Sequence, residues 1–380
     1  MKIVIVDISG VGGIGHYVFS LAKAVSKLDI EFFLISPKRT DFNLASYNIP
    51  VKYKIIPHYK FNNPILKSVI YLISRLRVLF FLLRLKPDIV HFHEIKLPFL
   101  DNFIFRILKS RGIKTILTLH HLRLFDFNIS KRSFSRLYSI CDGLILHSEA
   151  NKNALINEYS FTDTERIAVI PHGEYSALFK NAGTKNECRQ KLNIEKDKNV
   201  LLFFGYIRKY KGLDILLKAF TRVIEKENNF ILIVAGNPKE DMNFYYQLIN
   251  EKKIEEKIQF HPRYIEMDEI PVFFTASDCV ILPYRDIFQS GLALLSYAYS
   301  RPVIATRVGG LPEIVEDGKT GILVQPEDPE ELAETILKTF KNKASLIEMG
   351  NYADRYSKEH FSWDRIAEDT LDFYKKSAGS

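Results

Sequence analysis

The chain is poor in cysteine. Cys141, Cys188 and Cys279 are scattered, odd in number and form no CxxC pair. They build neither a disulfide framework nor a zinc site, and a reducing compartment fits. Long apolar runs are also missing. No uncharged apolar stretch approaches the roughly 18 residues of a spanning helix. Lys2 to Asp7 is a strand-length run cut by Asp7 and followed by glycines, unlike the long apolar core of a secretory leader. Disorder is excluded by composition, with 47% hydrophobic and 26% charged residues. Acidic residues are scarce in one half only. Met1–Lys180 carries 25 Lys and Arg against 14 Asp and Glu; the remainder carries 28 against 31. That asymmetry points to an anionic partner for the first half, with nucleic acid and an anionic membrane surface both open.

What is present is a repeated strand–turn–helix pattern. The 380 residues suggest two domains. Lys2–Val6 is a buried-type strand that runs into Gly10, Gly12, Gly13 and Gly15 and then a helix. The glycines crowd too closely for a dinucleotide fingerprint, so an NAD site is disfavoured, while close ligand approach at Gly12 and Gly13 is retained. Strands at 31–36, 51–56, 88–92, 114–119 and 143–146 alternate with helical stretches, which makes the first half a parallel α/β sheet. Two strands end in histidines: His91 and His93, followed by Glu94, and His120–His121. Ligands of open parallel sheets bind beyond the carboxyl ends of the strands. A functional role is therefore favoured for His120, and a structural one for His93 and His121. No clean three-ligand metal set is spelled by these positions. Ile65–Lys86 is helical in period and very apolar, with basic residues interspersed. It is either a helix packed on the sheet with its cations in solvent, or an interfacial helix dipping into anionic lipid.

The polar stretch 181–198 reads as a connection. A second α/β half starts with the strand at Asn199, which ends in Gly205. Arg208, Lys209 and Lys211 precede Gly212 and a helix, where cations and a helix dipole together suit phosphate. Further strands fall near 230–235, 257–260 and 279–282. Then comes Pro283–Val324: a loop through Asp286 to Gln289, a helix opened by Ser290–Gly291, a strand near 302–305, a Gly309–Gly310 turn and a strand at 322–324. Gly-rich turns beside a helix N-terminus form an anion site. Helical periods follow at 330–341, 344–357 and 362–375.

With these stretches in order, the chain resembles family 4 of the GT-B glycosyltransferases over nearly its whole length. GVGGIGHYVFSLAKAV, DIVHFHE, TILTLHH, VIPHGE, FFGYIRKYKGLDILLKAF and RPVIATRVGGLPEIVEDGKTGILV carry the resemblance, the last most specifically. It implies an α/β fold of the GT-B type, two Rossmann-like α/β/α domains facing across a cleft. The implied division is 1–182 for the acceptor domain, 183–198 for a linker, 199–360 for the donor domain and 361–377 for a helix returning to the first domain. It implies transfer of a sugar from a nucleotide-diphosphate sugar, UDP- or GDP-linked, to a glycan or lipid-linked acceptor. Retention of anomeric configuration, no cofactor and no obligatory metal are implied with it.

Carried over position by position, the resemblance implies catalytic roles for His120, Arg208 and Lys211. It implies donor binding by Gly13, Gly205, Arg208, Lys211, Asp286, Gln289, Ser290 and Gly291, with Gly12, His16, His93 and His121 on the acceptor side. Two glutamates usual in the family, eight positions apart, correspond here to Ile287 and Leu295, and Tyr206 stands where arginine is common. Asp286 is the one carboxylate at hand to replace the first glutamate. The basic first half then fits an acceptor at a membrane face, and a cytoplasmic protein peripheral to the inner face of the cell membrane. Nucleic acid is disfavoured because no recognition module is present. Two alternatives are a non-catalytic GT-B subunit that partners another transferase, and a nucleotide-sugar 2-epimerase.

Overall fold

Short β-branched runs become strands and longer amphipathic runs become helices, as their periods dictate. In the computed structural model of the chain, the described residues exclude Ser9, Val11, 38–50, 56–62, Glu94, Lys96, 123–130, 177–181, Phe288, Gln289 and Ser380, together with the side chains of 51–55, Pro64 and Lys67. One sheet contains β1 (Lys2–Val6), β2 (Glu31–Pro37), β3 (Val51–Ile55), β4 (Ile89–Phe92), β5 (Lys114–Thr118), β6 (Gly143–Leu146) and β7 (Ile167–Val169). The other contains β8 (Asn199–Phe204), β9 (Phe230–Ala235), β10 (Ile258–His261), β11 (Cys279–Leu282), β12 (Val303–Thr306) and β13 (Gly321–Val324). Every pairing is parallel, with spatial orders 3-2-1-4-5-6-7 and 10-9-8-11-12-13. Each order reverses once, between β1 and β4 and between β8 and β11. A reversal leaves a crevice at the carboxyl ends of the strands, where open α/β sheets bind ligands.

The helices of the first half are α1 (Gly12–Val25), α2 (Pro64–Leu85), α3 (Pro98–Ser110), α4 (Lys131–Ile140) and α5 (Glu149–Tyr159). Those of the second are α6 (Lys185–Lys191), α7 (Leu213–Lys226), α8 (Asn243–Lys252), α9 (Ile270–Ala276), α10 (Gly291–Ala298), α11 (Leu311–Ile314), α12 (Pro329–Phe340), α13 (Lys343–His360) and α14 (Trp363–Ala378). The chain divides into two compact units, Met1–Gly173 with Ser362–Ser380, and Glu174–Phe361. The last helix, α14, thus belongs to the first unit, where it packs on α1 and the Tyr374 hydroxyl meets His91 Nδ1 at 2.5 Å.

The expected connection at 183–198 is instead built into the second unit. Thr184 and Glu187 cap α6 reciprocally, and α6 packs on α9. The buried Arg189 donates to the Ala276 carbonyl at 3.0 Å and to Asp278 at 2.9 Å, while Asp278 also accepts from Val200 N at 2.7 Å. Polar sequence signals a solvated connection only when its charges lack internal partners, and these have them. A second departure concerns α2. Arg75, expected among solvent-facing cations, is buried and pairs with the equally buried Asp101 of α3 at 2.8 Å. Tyr71 completes the set, donating to Asp101 at 3.0 Å.

Candidate functional site

In the first unit, four successive strand ends deliver histidines to one place. His93 follows β4, His120 follows β5, His147 follows β6 and His172 follows β7. Tyr17, in the second turn of α1, stands among them. Its ring lies 4.9 Å from those of His120 and His147, 5.2 Å from His172 and from Trp363 of α14, and 5.6 Å from His93. His16 stacks on His172 at 6.1 Å. Of the expected residues, His16, His93 and His120 are thus assembled here, while His121 is exposed at the rim. Gly12 and Gly13 open α1 with free space around them, since a Cβ at either would meet nothing within 4 Å. Glu94 lies outside the described residues. Tyr17, His147 and His172 were missed by sequence reasoning. His147 and His172 each follow a strand, so the rule applied to His120 would have found them; Tyr17 sits on a helix and carried no signal.

Burial holds these imidazoles neutral. The pKa values of His16, His91, His93 and His120 are pushed well below the ordinary 6.5, His147 to about 3 and His172 to about 4, chiefly by desolvation. Neutrality then sets the tautomers. His147 Nδ1 lies 2.9 Å from the Ile170 carbonyl, which only accepts, so Nδ1 carries the proton. His147 Nε2 is therefore a lone pair and takes the proton of His120 Nδ1 at 3.2 Å. His120 Nε2 is left as an acceptor, buried and with no partner among the described residues. The Tyr17 hydroxyl and both ring nitrogens of His93 are likewise buried without partners among the described residues. Such groups cost about 1–3 kcal/mol each when left dry. His91 differs: its nitrogens meet Tyr374 and Thr118 at 2.5 and 2.6 Å, and its place is structural. Among the described residues no group of three or more His, Cys, Asp or Glu could hold a metal ion.

In the second unit, the loops after β8 and β11 meet. Gly212 adopts φ +68°, and a Cβ there would lie 1.9 Å from the Pro283 carbonyl oxygen, so only glycine allows this approach. Arg285 bridges the two loops. It grips Asp214 with two bonds of 2.8 and 2.7 Å, reaches the Lys209 carbonyl at 2.7 Å and pairs with Glu327 at 2.6 Å. This bridge was invisible in the sequence, because Arg285 and Asp214 are 71 residues apart. Lys211 is buried with its Nζ 4.0 Å from the Tyr284 ring centroid. It has no carboxylate partner among the described residues, and desolvation lowers its pKa to about 7. Tyr284 in turn places its hydroxyl 3.3 Å from Ser290 Oγ. Ser290 caps α10, accepting from Leu292 N at 3.4 Å.

An unpaired buried cation therefore stands one tyrosine away from the N-terminus of an eight-residue helix. A buried lysine near a helix N-terminus is the kind of combination that suits an anion. Arg208 is half-buried in the same loop, and Gly205 ends β8 with φ +105°. Tyr175 was also missed: its hydroxyl would lie 2.4 Å from a Cβ at Gly291, so it covers the first turn of α10. Asp286 is exposed, and Gln289 lies outside the described residues. Ile287 and Leu295 are both 5% exposed and belong to the core packed against the sheet.

Family models match both units. "Glycosyltransferase Family 4" matches residues 11–173, and "Glycosyl transferases group 1" matches residues 184–358. An uncharacterized glycosyltransferase of Methanocaldococcus jannaschii is 27% identical over 93% of this chain and 92% of its own. The D-inositol 3-phosphate glycosyltransferase of Streptomyces bingchenggensis is 29% identical over 64% of this chain and 54% of its own. The chain spans about half the length of the first curated relatives it matches. The crystal structure of Anabaena HepE in complex with UDP superimposes with a TM-score of 0.77 at 19% identity, covering 99% of this chain and 100% of that one. That likeness is one of fold.

Proposed function

The chain belongs to the family 4 glycosyltransferases of the GT-B fold, and on that premise we propose that it transfers a sugar from a nucleotide-diphosphate sugar to a glycan or lipid-linked hydroxyl acceptor in cell-surface polysaccharide or lipopolysaccharide synthesis. The observation that carries this reading is Lys211: a buried ammonium without a carboxylate, set beside the capped N-terminus of α10. The diphosphate occupies that place. Lys211 and Arg208 neutralise it, and the amides at Ser290 and Gly291 donate to it. UDP is the first donor nucleotide to test, because HepE was crystallised with UDP and with UDP-glucose; GDP is the second.

As the bond from the anomeric carbon to the β-phosphate oxygen breaks, charge grows on the diphosphate and the sugar carbon becomes oxocarbenium-like. The acceptor oxygen bonds to that carbon on the face the phosphate leaves, and its proton passes to the departing phosphate oxygen. The configuration is retained without a protein nucleophile. Lys211 and Arg208 act where the charge develops, and losing one such group costs about 3–4 kcal/mol of barrier. In the first unit, His120 offers its Nε2 lone pair to a substrate hydroxyl. Its depressed pKa removes it from acid catalysis near neutral pH.

The test is a thermal-shift panel of nucleotides and nucleotide-sugars followed by a transfer assay. A bound nucleotide stabilises in proportion to its occupancy. Lys211→Ala and Arg208→Ala should each reduce turnover by about two orders of magnitude or more, with the fold kept. Wild-type turnover in both variants overturns the assignment. The pH dependence follows from Lys211. With its free pKa near 7, nucleotide binding above that pH must protonate it, so affinity falls as pH rises and protons are taken up. Calorimetry in buffers of different ionisation enthalpy reads that uptake, and Lys211→Met should abolish it.

A second reading, a non-catalytic donor-binding subunit, has one observation in its favour. The positions of the two family glutamates are taken by Ile287 and Leu295, buried in the core. Nucleotide binding without transfer to any acceptor supports it.

A further inference from the structure

Among the described residues of the first unit, exposed apolar side chains concentrate on the outward face of α2. Ile65, Val69, Leu72, Leu76 and Phe80 recur every three or four residues and therefore line one side of the helix. Ile65 is 74% exposed and Phe80 62%. The opposite side is buried through Tyr71, Arg75, Val78 and Leu82. The helix thus has one side turned to the core and an apolar side turned away from it. The neighbouring α3 adds Phe99, 89% exposed, and Phe103 one turn on. Isolated exposed apolar residues are normal, but a continuous face of this kind marks an interaction surface.

Charge around the face identifies the occupant. α2 contains no Asp or Glu. The one acidic residue of α3, Asp101, is buried against Arg75. Arg77 and Arg84, two turns apart, line one edge of the face, and neither has a carboxylate partner among the described residues. Arg84 lies over the Phe80 ring at 5.7 Å. An apolar face whose charged edge, among the described residues of α2, is formed by Arg77 and Arg84 complements an anionic lipid surface, where side chains enter the acyl boundary and cations meet headgroup phosphates. A second copy of the chain would set the same unpaired cations against each other. No helix among the described residues is long and apolar enough to cross a membrane.

We propose that α2 and the Phe99–Phe103 ridge of α3 dock the first unit onto an anionic membrane surface, with Arg77 and Arg84 at the headgroups. The inference stands on the surface of the first unit and does not depend on the diphosphate reading of the second.

Sedimentation of the full chain with phospholipid vesicles tests it. Vesicles of phosphatidylcholine with about a third phosphatidylglycerol should bind the protein at low salt, and added salt should weaken binding. Leu76→Glu/Phe80→Glu should reduce binding at least about tenfold, and Arg77→Gln/Arg84→Gln should weaken both binding and its salt dependence. Circular dichroism verifies folding, with Leu76→Ser/Phe80→Ser as the milder pair should the first fail to fold. No binding to the anionic vesicles overturns the proposal, as does equal binding to pure phosphatidylcholine. Binding unchanged in Leu76→Glu/Phe80→Glu overturns it as well. A dimer in equilibrium sedimentation that Leu76→Glu/Phe80→Glu dissolves reassigns the face to a second copy. Nucleotide thermal shifts on the same protein separate the outcomes, since vesicle binding without any nucleotide response removes the donor reading alone.

Discussion

His120 owes its chemistry to His147. The Ile170 carbonyl fixes the His147 proton, His147 fixes the His120 proton, and the free lone pair of His120 Nε2 results. His147→Leu removes the acceptor for His120 Nδ1 and frees the ring to turn or change tautomer. Turnover should fall about tenfold, the worth of one buried hydrogen bond, while nucleotide affinity on the second unit stays unchanged. His147→Gln, with a carbonyl to accept from His120 and an amide to donate to Ile170, should recover part of the rate. Equal loss in Leu and Gln variants would show that His147 only fills space. His120 itself was legible from its strand-end position. Its direction of hydrogen bonding was not, because that depends on a residue 27 positions away.

α2 joins the fold through a pair of buried charges. Arg75 and Asp101 are each about 2% exposed or less, and Tyr71 hydrogen-bonds both. Desolvation raises the Asp101 pKa, and Arg75 opposes that rise. Removing one partner of such a pair leaves the other charge buried and unbalanced. Asp101→Asn should therefore destabilise the protein by about 3–5 kcal/mol, read as a lower urea midpoint, whereas the exposed Arg77→Gln should change it by less than about 0.5 kcal/mol. Helical period located α2 within a residue or two, yet it did not reveal which cation turns inward. That choice follows from Asp101, presented by a separate helix. The polar stretch 183–198 presents the same limit: its composition reads as solvated connection until Arg189 finds Asp278.

Acid stability of the entire fold follows from its neutral histidines. Six of them are buried with pKa values depressed below 6.5. Above pH 6.5 neither state protonates them, and they leave stability unchanged. As pH falls below that value the unfolded chain takes up protons that the folded chain refuses, so stability is lost. Each contributes up to about 1.4 kcal/mol per pH unit, and for His147 and His172 the loss continues toward pH 3 and 4. Urea midpoints should drop steeply between pH 6.5 and 5, and His172→Asn should flatten the slope. A midpoint independent of pH over that window would contradict the burial.

Strands and helices, the parallel α/β class and the helix start at Ser290–Gly291 were all legible in the chain's own residue order. Each of these is written within a dozen or so neighbouring residues, through hydrophobic period, capping residues and turn glycines. Tertiary structure decided what meets what. Strand order brings the ends of β4, β5, β6 and β7 side by side, which gathers His93, His120, His147 and His172 around Tyr17. It also sets Lys211 on Tyr284 and closes Arg285 on Asp214. Those contacts join residues far apart in the chain, and no local pattern records them. The glycines and the helix start were visible in the sequence; the buried Lys211, without a carboxylate partner among the described residues, exists only once the chain is folded.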